Sequence, residues 1–551
     1  MPFPQIHDRS SMPPKSLLLH ALRIKSSWHR KFAYIALFFF ALVLRSGLSS
    51  PAPDPEAQQH ASRGYELARQ GNLKEAENEL RRAAELAPED PQILAGLGGI
   101  LGLQQRLKEA EVYFEKAIKL DPKNLMLRRN LAANQWQLGQ LQPARENLER
   151  ILKARPGDPP SSLLLGMVME NLKDYARAAD LLGSVPSLVE QRPESLSALA
   201  RAYYKIGQKE KARSTLQALQ KHPGGPAAIF MGGQIAAQAD DYEVAEKMLV
   251  SIQSTYPNTA LLSYNIALVQ YRAGKLGEAQ ERLVGLIQAG NATSEVYNLL
   301  GWCYQKQDKP EEARHALQQA IERDPTRESN YLDLGMILAS HRLFPAALAV
   351  AKRNVERHPA SYHAHLLKGL VELKMDQYTD AVSSYERAVE LDPSNPEADR
   401  GLGVAQFAAG MIDQAKTTFE KGLRQFPQDA GHYQEYSRML FKLAEAGDPS
   451  AEARAVELMK SALKLDSSLS EPHYYPGNQA LQKGNLKEAT QHLEAAARLD
   501  LNSSKLHYAL ARVYRRLGRD QEAAKEMERY RELKAAEEKS LPGFSAVVVK
   551  N

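Results

Sequence analysis

One alanine returns through this chain with a period of 34 residues. It stands at Ala76, Ala110, Ala144, Ala178 and Ala212, then, after a single spacing of 33, at Ala245, Ala279, Ala313, Ala347, Ala381 and Ala415. After a spacing of 40 it resumes at Ala455, Ala489 and Ala523. A unit of that length is one supersecondary element, too small to bury its own apolar face, so the chain is committed to stacking copies of it.

Other positions keep the same phase. Pro88, Pro122, Pro156, Pro257, Pro325, Pro359, Pro393 and Pro427 each lie twelve residues after one of those alanines. Four residues after the alanine stands a bulky apolar group, as at Leu80, Phe114, Leu148, Leu283, Leu317, Tyr385 and Phe419. Twelve residues before it stands a small one, as at Gly64, Gly98, Ala132, Gly301 and Gly403. A small residue lets a second helix approach closely, and a large one a turn on fills the groove beside it. Proline cannot donate to the helix ladder and ends the second helix. Polar turns such as GNLKE and DKPEE join the two, so each unit predicts an antiparallel helix pair.

These units resemble tetratricopeptide repeats. The segment from Tyr297 to Pro325 carries the pattern most fully, with Leu300, Gly301, Tyr304, Ala313, Leu317, Ala320 and Pro325 at the family's offsets. Fourteen copies fill residues 57–537. The resemblance implies an all-α, right-handed superhelical solenoid whose first helices line a concave groove. It also implies a non-enzymatic scaffold for protein or peptide partners, because this fold hosts many roles and defines only that class. Two related readings stand beside it: an assembly factor of an envelope or polysaccharide-secretion complex, and a substrate-binding subunit of an enzyme complex.

Departures from the period predict seams. Gly224-Gly225-Pro226 replaces the usual terminator, and the twelfth copy is six residues long, with extra chain near 443–453 that reads as a loop between its helices. The expected divisions are therefore 57–225 (repeats 1–5), 226–429 (repeats 6–11) and 430–537 (repeats 12–14), with a tail at 538–551. Pro476 falls inside a first helix and is expected to kink or delay it.

Residues 1–50 stand outside the period. Basic residues Arg9, Lys15, Arg23, Lys25, Arg30 and Lys31 precede the uncharged run from Phe32 to Leu44. Thirteen helical residues span about 20 Å, short of a hydrocarbon core of roughly 30 Å. The segment reads as a secretory signal or, extended to Leu48, as an uncleaved membrane anchor, with translation starting at Met1 or Met12. Either way the repeats face out of the cytoplasm: exported, periplasmic, secreted or tethered, and of bacterial type. Seven of the 71 Lys and Arg and one of the 66 Asp and Glu occur up to Arg45, which leaves 64 bases against 65 acids beyond it. The net charge of +5 thus belongs to the leader, and the array has no excess for nucleic acid.

No phosphate-binding loop, dinucleotide fingerprint or zinc-protease motif occurs, and no catalytic residue, cofactor or metal is expected. Cys303, the single cysteine, reads as a small core residue. The Lys and Asn of a carboxylate-gripping array are replaced by Ala61 and Tyr65 in the first repeat and by Ala95 and Gly99 in the second. By position, the residues predicted to line a partner-binding groove are Arg129, Trp136, Tyr264, Asn298, Trp302, Asp333 and His363. Aromatics and Arg are frequent interface anchors; the same residue types also fill the core between stacked helices.

Overall fold

The computed structural model describes residues 54–448 and 450–539, so the basic leader and the tail after Lys539 lie outside it. The described residues form 29 helices and no strand. They make fourteen helix pairs in the predicted phase, from Pro55–Arg69 with Leu73–Leu86 to Ser504–Arg516 with Asp520–Lys539. The extra helix is a single turn, Pro186–Val189. It follows a shortened second helix in repeat 4, Tyr175–Gly183, which ends at a glycine three residues before the proline.

Local chemistry starts and stops each helix. Asp90 and Asp158 sit just before Pro91 and Pro159 and accept backbone N–H bonds from the first turn, as from Gln92 at 2.7 Å and Ser161 at 3.1 Å. Such caps supply partners for donors that a helix start leaves unmatched. Between the helices, one position per repeat is left-handed. Glycine fills it at Gly71, Gly139, Gly274 and Gly410, while Gln105, Lys173, Asp308 and Arg342 adopt it despite a side chain. That substitution costs roughly 1 kcal/mol each, which the packed pair on either side absorbs.

The periodic alanines are the innermost points of the pairs. Ala76, Ala144, Ala245, Ala313, Ala381, Ala455 and Ala489 are all fully buried. The small-then-large rule is literal: a methyl on Gly301 would stand 2.7 Å from Leu317 Cγ, and one on Gly403 2.7 Å from Phe419. Repeat 9 solves the same problem differently. Its large position holds Ala351, and Leu367 of the next repeat fills the space at Gly335.

The chain divides into two compact units, up to Leu286 and from Ile287. The seams read from sequence, at 224–226 and 445–450, lie within one unit each. In the first unit a single apolar cluster includes Leu216 and Leu219 before the glycine pair and Ala228 and Phe230 after it. In the second, Ala415 and Phe419 share a cluster with Tyr436 and Met439.

Two expectations are corrected. The six extra residues of repeat 12 do not form a protruding loop: helices Ala430–Glu445 and Ser450–Leu465, 16 residues each, absorb most of them. Ala451 in the added length is buried, and Leu443 and Ala444 pack against the cluster that holds Phe419 and Met439. Pro476 does not delay its helix, which starts at Glu471 and runs to Gln482. Pro476 is the sixth of its twelve residues and removes one ladder bond, and the burial of Gly477, Ala480 and Leu481 on the same helix outweighs that loss.

Replacing Ala313 with Leu should overpack repeat 8 and lower stability by roughly 1–3 kcal/mol. Thermal melting of the full chain checks this, and an unchanged midpoint would contradict the packing phase.

Candidate functional site

The seven positions chosen by sequence fall in different surroundings. In the first unit, Arg129 pairs with Asp158 at 3.1 Å, with both side chains nearly buried. Burial lowers the Arg129 pKa; it pushes Asp158 up, but Ser161 and Arg129 hold that carboxylate below its usual range. Trp136 donates its indole N–H to Asn171 at 2.7 Å, and Asn171 donates to Glu170, which also binds Arg201. These contacts bolt repeats 3, 4 and 5 together. Tyr264 is buried.

In the second unit, three of the seven meet. Asn298 donates its amide to Asp333 at 2.7 Å and to Asn330 at 3.1 Å. Asn330 in turn donates to Ser294 at 2.8 Å and to the Ala320 carbonyl at 3.1 Å. Burial pushes the Asp333 carboxyl up to about 6, opposed by Asn298 and the Trp302 indole. Asn298 is 1% exposed and Asp333 5%, so this cluster is an internal joint between repeats 8 and 9. His363 stands apart from it, exposed and edge-on to Tyr362 at 5.2 Å. Cys303 is fully buried, which pushes its thiol up to about 12 and keeps it protonated.

A larger polar assembly, which the sequence reading passed over, runs along the first helices of repeats 12, 13 and 14. Glu471 accepts from Gln434 at 3.2 Å and from Lys505 at 2.8 Å, and lies 3.8 Å from Arg438. Arg438 also binds Glu435. Burial raises the Glu435 carboxyl, with Arg438, Arg400 and Lys374 pulling the other way. Beside this chain runs an aromatic series. Phe441 stacks on Tyr475 at 5.8 Å, Tyr475 meets Tyr474 at 5.2 Å, and the Lys505 ammonium lies 4.9 Å from the Tyr474 ring. Tyr508 continues it, with Arg512 over its ring at 5.9 Å and Tyr530 at 5.2 Å. The signal was present in sequence: Lys505, Tyr508, Arg512 and Arg515, spaced 3, 4 and 3, form one stripe of a helix.

One further cluster joins repeats 11 and 12. His432 is fully buried, with Nδ1 2.7 Å from Asp429 and Nε2 3.0 Å from Asp399. Arg400 holds Asp429 from outside at 2.7 Å. The ring fits because residue 422 is glycine: a methyl there would sit 2.4 Å from His432. Burial alone would lower the His432 pKa, but the two carboxylates raise it.

Comparison with known proteins agrees with this geometry. Family models described as tetratricopeptide repeat match residues 103–168 and 372–435, 294–327, 62–124 and 477–538, and 194–224. Together they cover more than half of the chain, and the chain belongs to the tetratricopeptide repeat family. Arrays of this family act as protein–protein interaction scaffolds and are in general non-catalytic. No curated protein matches the sequence. Among solved structures, yeast Tom70 is 18% identical, with 89% of this chain and 94% of that one covered and a TM-score of 0.40. The Cut9 and Hcn1 heterotetramer of the APC/C gives 14% identity, 83% and 96% coverage and a TM-score of 0.35. MamA gives 23% identity over 29% of this chain and 94% of that one, with a TM-score of 0.27.

Two pH responses follow. The Asp333 carboxyl is raised from 3.8 to about 6, so its protonated form favours the fold. Stability should fall as pH rises through that window, by up to about 3 kcal/mol in all. Asp333→Asn should remove this fall, as read by denaturant unfolding on either side of the window.

His432 behaves as a raised base, so its contribution is complete below 6.5 and lost as pH climbs through its folded value. His432→Gln should flatten the stability profile above pH 6.5, and an unchanged profile would contradict the assignment.

Proposed function

We propose that this chain is an interaction scaffold working outside the cytoplasm, and that it engages extended segments of partner proteins along the first helices of repeats 12–14. The observation that carries this is the aromatic and cationic series there, whose last members Tyr508, Arg512 and Arg515 are exposed. Tyr508 is 44% exposed in a helix whose opposite face is fully packed, with Leu506, Leu510 and Val513 inside. Tyr and Arg are the residues that most often anchor interfaces. The buried clusters at Asn298 and at His432 support it by holding neighbouring repeats in register, since a binding face built on rigid elements keeps its geometry.

The extracytoplasmic setting rests on the leader: a basic segment followed by the apolar run Phe32 to Leu44. Among the described residues no helix is long and apolar enough to cross a membrane. Placing the first 50 residues at the membrane leaves the whole array on its far side.

Site-specific photo-crosslinking in cells tests the face. A crosslinker replacing Tyr508 should trap partner protein, whereas one replacing Glu457, exposed on a second helix of repeat 12, should not. Equal trapping at both positions, or none at either, would remove this reading. N-terminal sequencing of the mature chain tests the address, and an intact leader on protein recovered from the cytosol would overturn it.

A further inference from the structure

The last first helix, Ser504–Arg516, has a polar stripe whose cations are spare. Lys505 is committed to Glu471, and Arg516 donates to the Leu481 carbonyl at 2.6 Å. Arg512 and Arg515 are exposed and form no ion pair among the described residues; Arg512 meets only the ring of Tyr508. The burial of Glu471 against Lys505 shows how this face receives a carboxylate. The acid lies beside Tyr474, with a charged nitrogen of Lys505 at 2.8 Å and the Gln434 amide at 3.2 Å. One helix turn further on, Tyr508, Arg512 and Arg515 offer the same combination of ring and cation, with no internal acid supplied.

We propose that this open seat takes an acidic, extended peptide segment of a partner protein, with a carboxylate held by Arg512 and Arg515 and the peptide lying on the rings of Tyr474 and Tyr508. The inference rests on the scaffold reading and specifies its partner. Guanidinium groups bind carboxylates through paired N–H donors, and a flat ring adds contact area at little entropic cost. The spacing of the seat suits single carboxylates along a strand of peptide. A dense polyanion is disfavoured, because among the described residues this helix offers it only two unpaired cations, Arg512 and Arg515, and Glu435 and Glu471 lie on the first helices of the two preceding repeats. A membrane surface is disfavoured as well, because the stripe carries one exposed ring and no broad apolar face.

The test uses the full chain and two fluorescein-labelled short peptides of the same length. One carries Asp and Glu interspersed with Gly and a single Phe, and the other carries Asn and Gln in their place. Fluorescence anisotropy should show saturable binding of the acidic peptide, weakened by added salt, with the amide peptide binding at least roughly tenfold more weakly. The double variant Arg512→Gln, Arg515→Gln should lose the preference, while Lys460→Gln on a second helix should keep it. All these positions are on the surface, and circular dichroism confirms that each variant is folded. Equal binding of the two peptides overturns the proposal. So does an acidic-peptide affinity unchanged in the double variant, or tighter binding of a single-stranded oligonucleotide or of anionic vesicles than of the acidic peptide. Crosslinking from Tyr508 without acid selectivity would leave the scaffold reading standing and remove only this one. Acid selectivity in vitro without crosslinking in cells would remove the scaffold reading, and with it the assignment of the bound segment to a partner protein.

Discussion

Two helices can lie close enough to share a core only if one residue at their crossing is small, and every pair in this protein depends on that allowance. The alanine of every second helix is buried, and the facing glycine leaves no room for a further carbon beside Leu317 or Phe419. Because the pair is thin, its other faces stay apolar and must be covered by neighbours. Stacking then carries each core cluster from one repeat into the next, as from Leu216 to Phe230 and from Phe419 to Tyr436.

Polar groups divide the labour with this apolar core. Where repeats meet, buried hydrogen bonds choose one register among several that oil-like packing would tolerate: Asn298 with Asp333, Arg129 with Asp158, His432 between two aspartates. Such groups are costly to bury unless fully matched, and that cost penalises every misaligned stacking. Two of the joints, at Asp333 and His432, carry ionisations displaced from their ordinary values, so cohesion between repeats responds to pH. On the first helices of the last repeats the matching is incomplete, with Arg512 and Arg515 left to solvent. Those exposed donors are the places to look for a partner.

The lengthened twelfth repeat shows the limit of reading turns from composition. LAEAGDPSAEA contains Gly, Asp and Pro together and reads as a loop, yet its first and last residues are helical. Leu443, Ala444 and Ala451 reach the core because both helices continue, and the hydrophobic gain outweighs the local turn preference. Pro476 is a milder case: it stands in the middle of its helix, and the burial of Gly477, Ala480 and Leu481 after it outweighs the one ladder bond lost.

The sequence by itself determined the element type, the number of pairs, the phase of every alanine and the burial of Cys303, because a 34-residue period repeats one local solution and each copy corroborates the others. It also sets residues 1–50 apart from the repeats by charge and hydropathy. Only the tertiary structure decided which polar side chains are joints and which face solvent. Asn298, Trp302 and Asp333 sit at the positions of a lined groove, but the neighbouring helix closes over them, whereas Tyr508, Arg512 and Arg515 are exposed among the described residues. Helical periodicity assigns a residue to a face; what lies against that face is set by the stacking of the next pair, which no single repeat encodes.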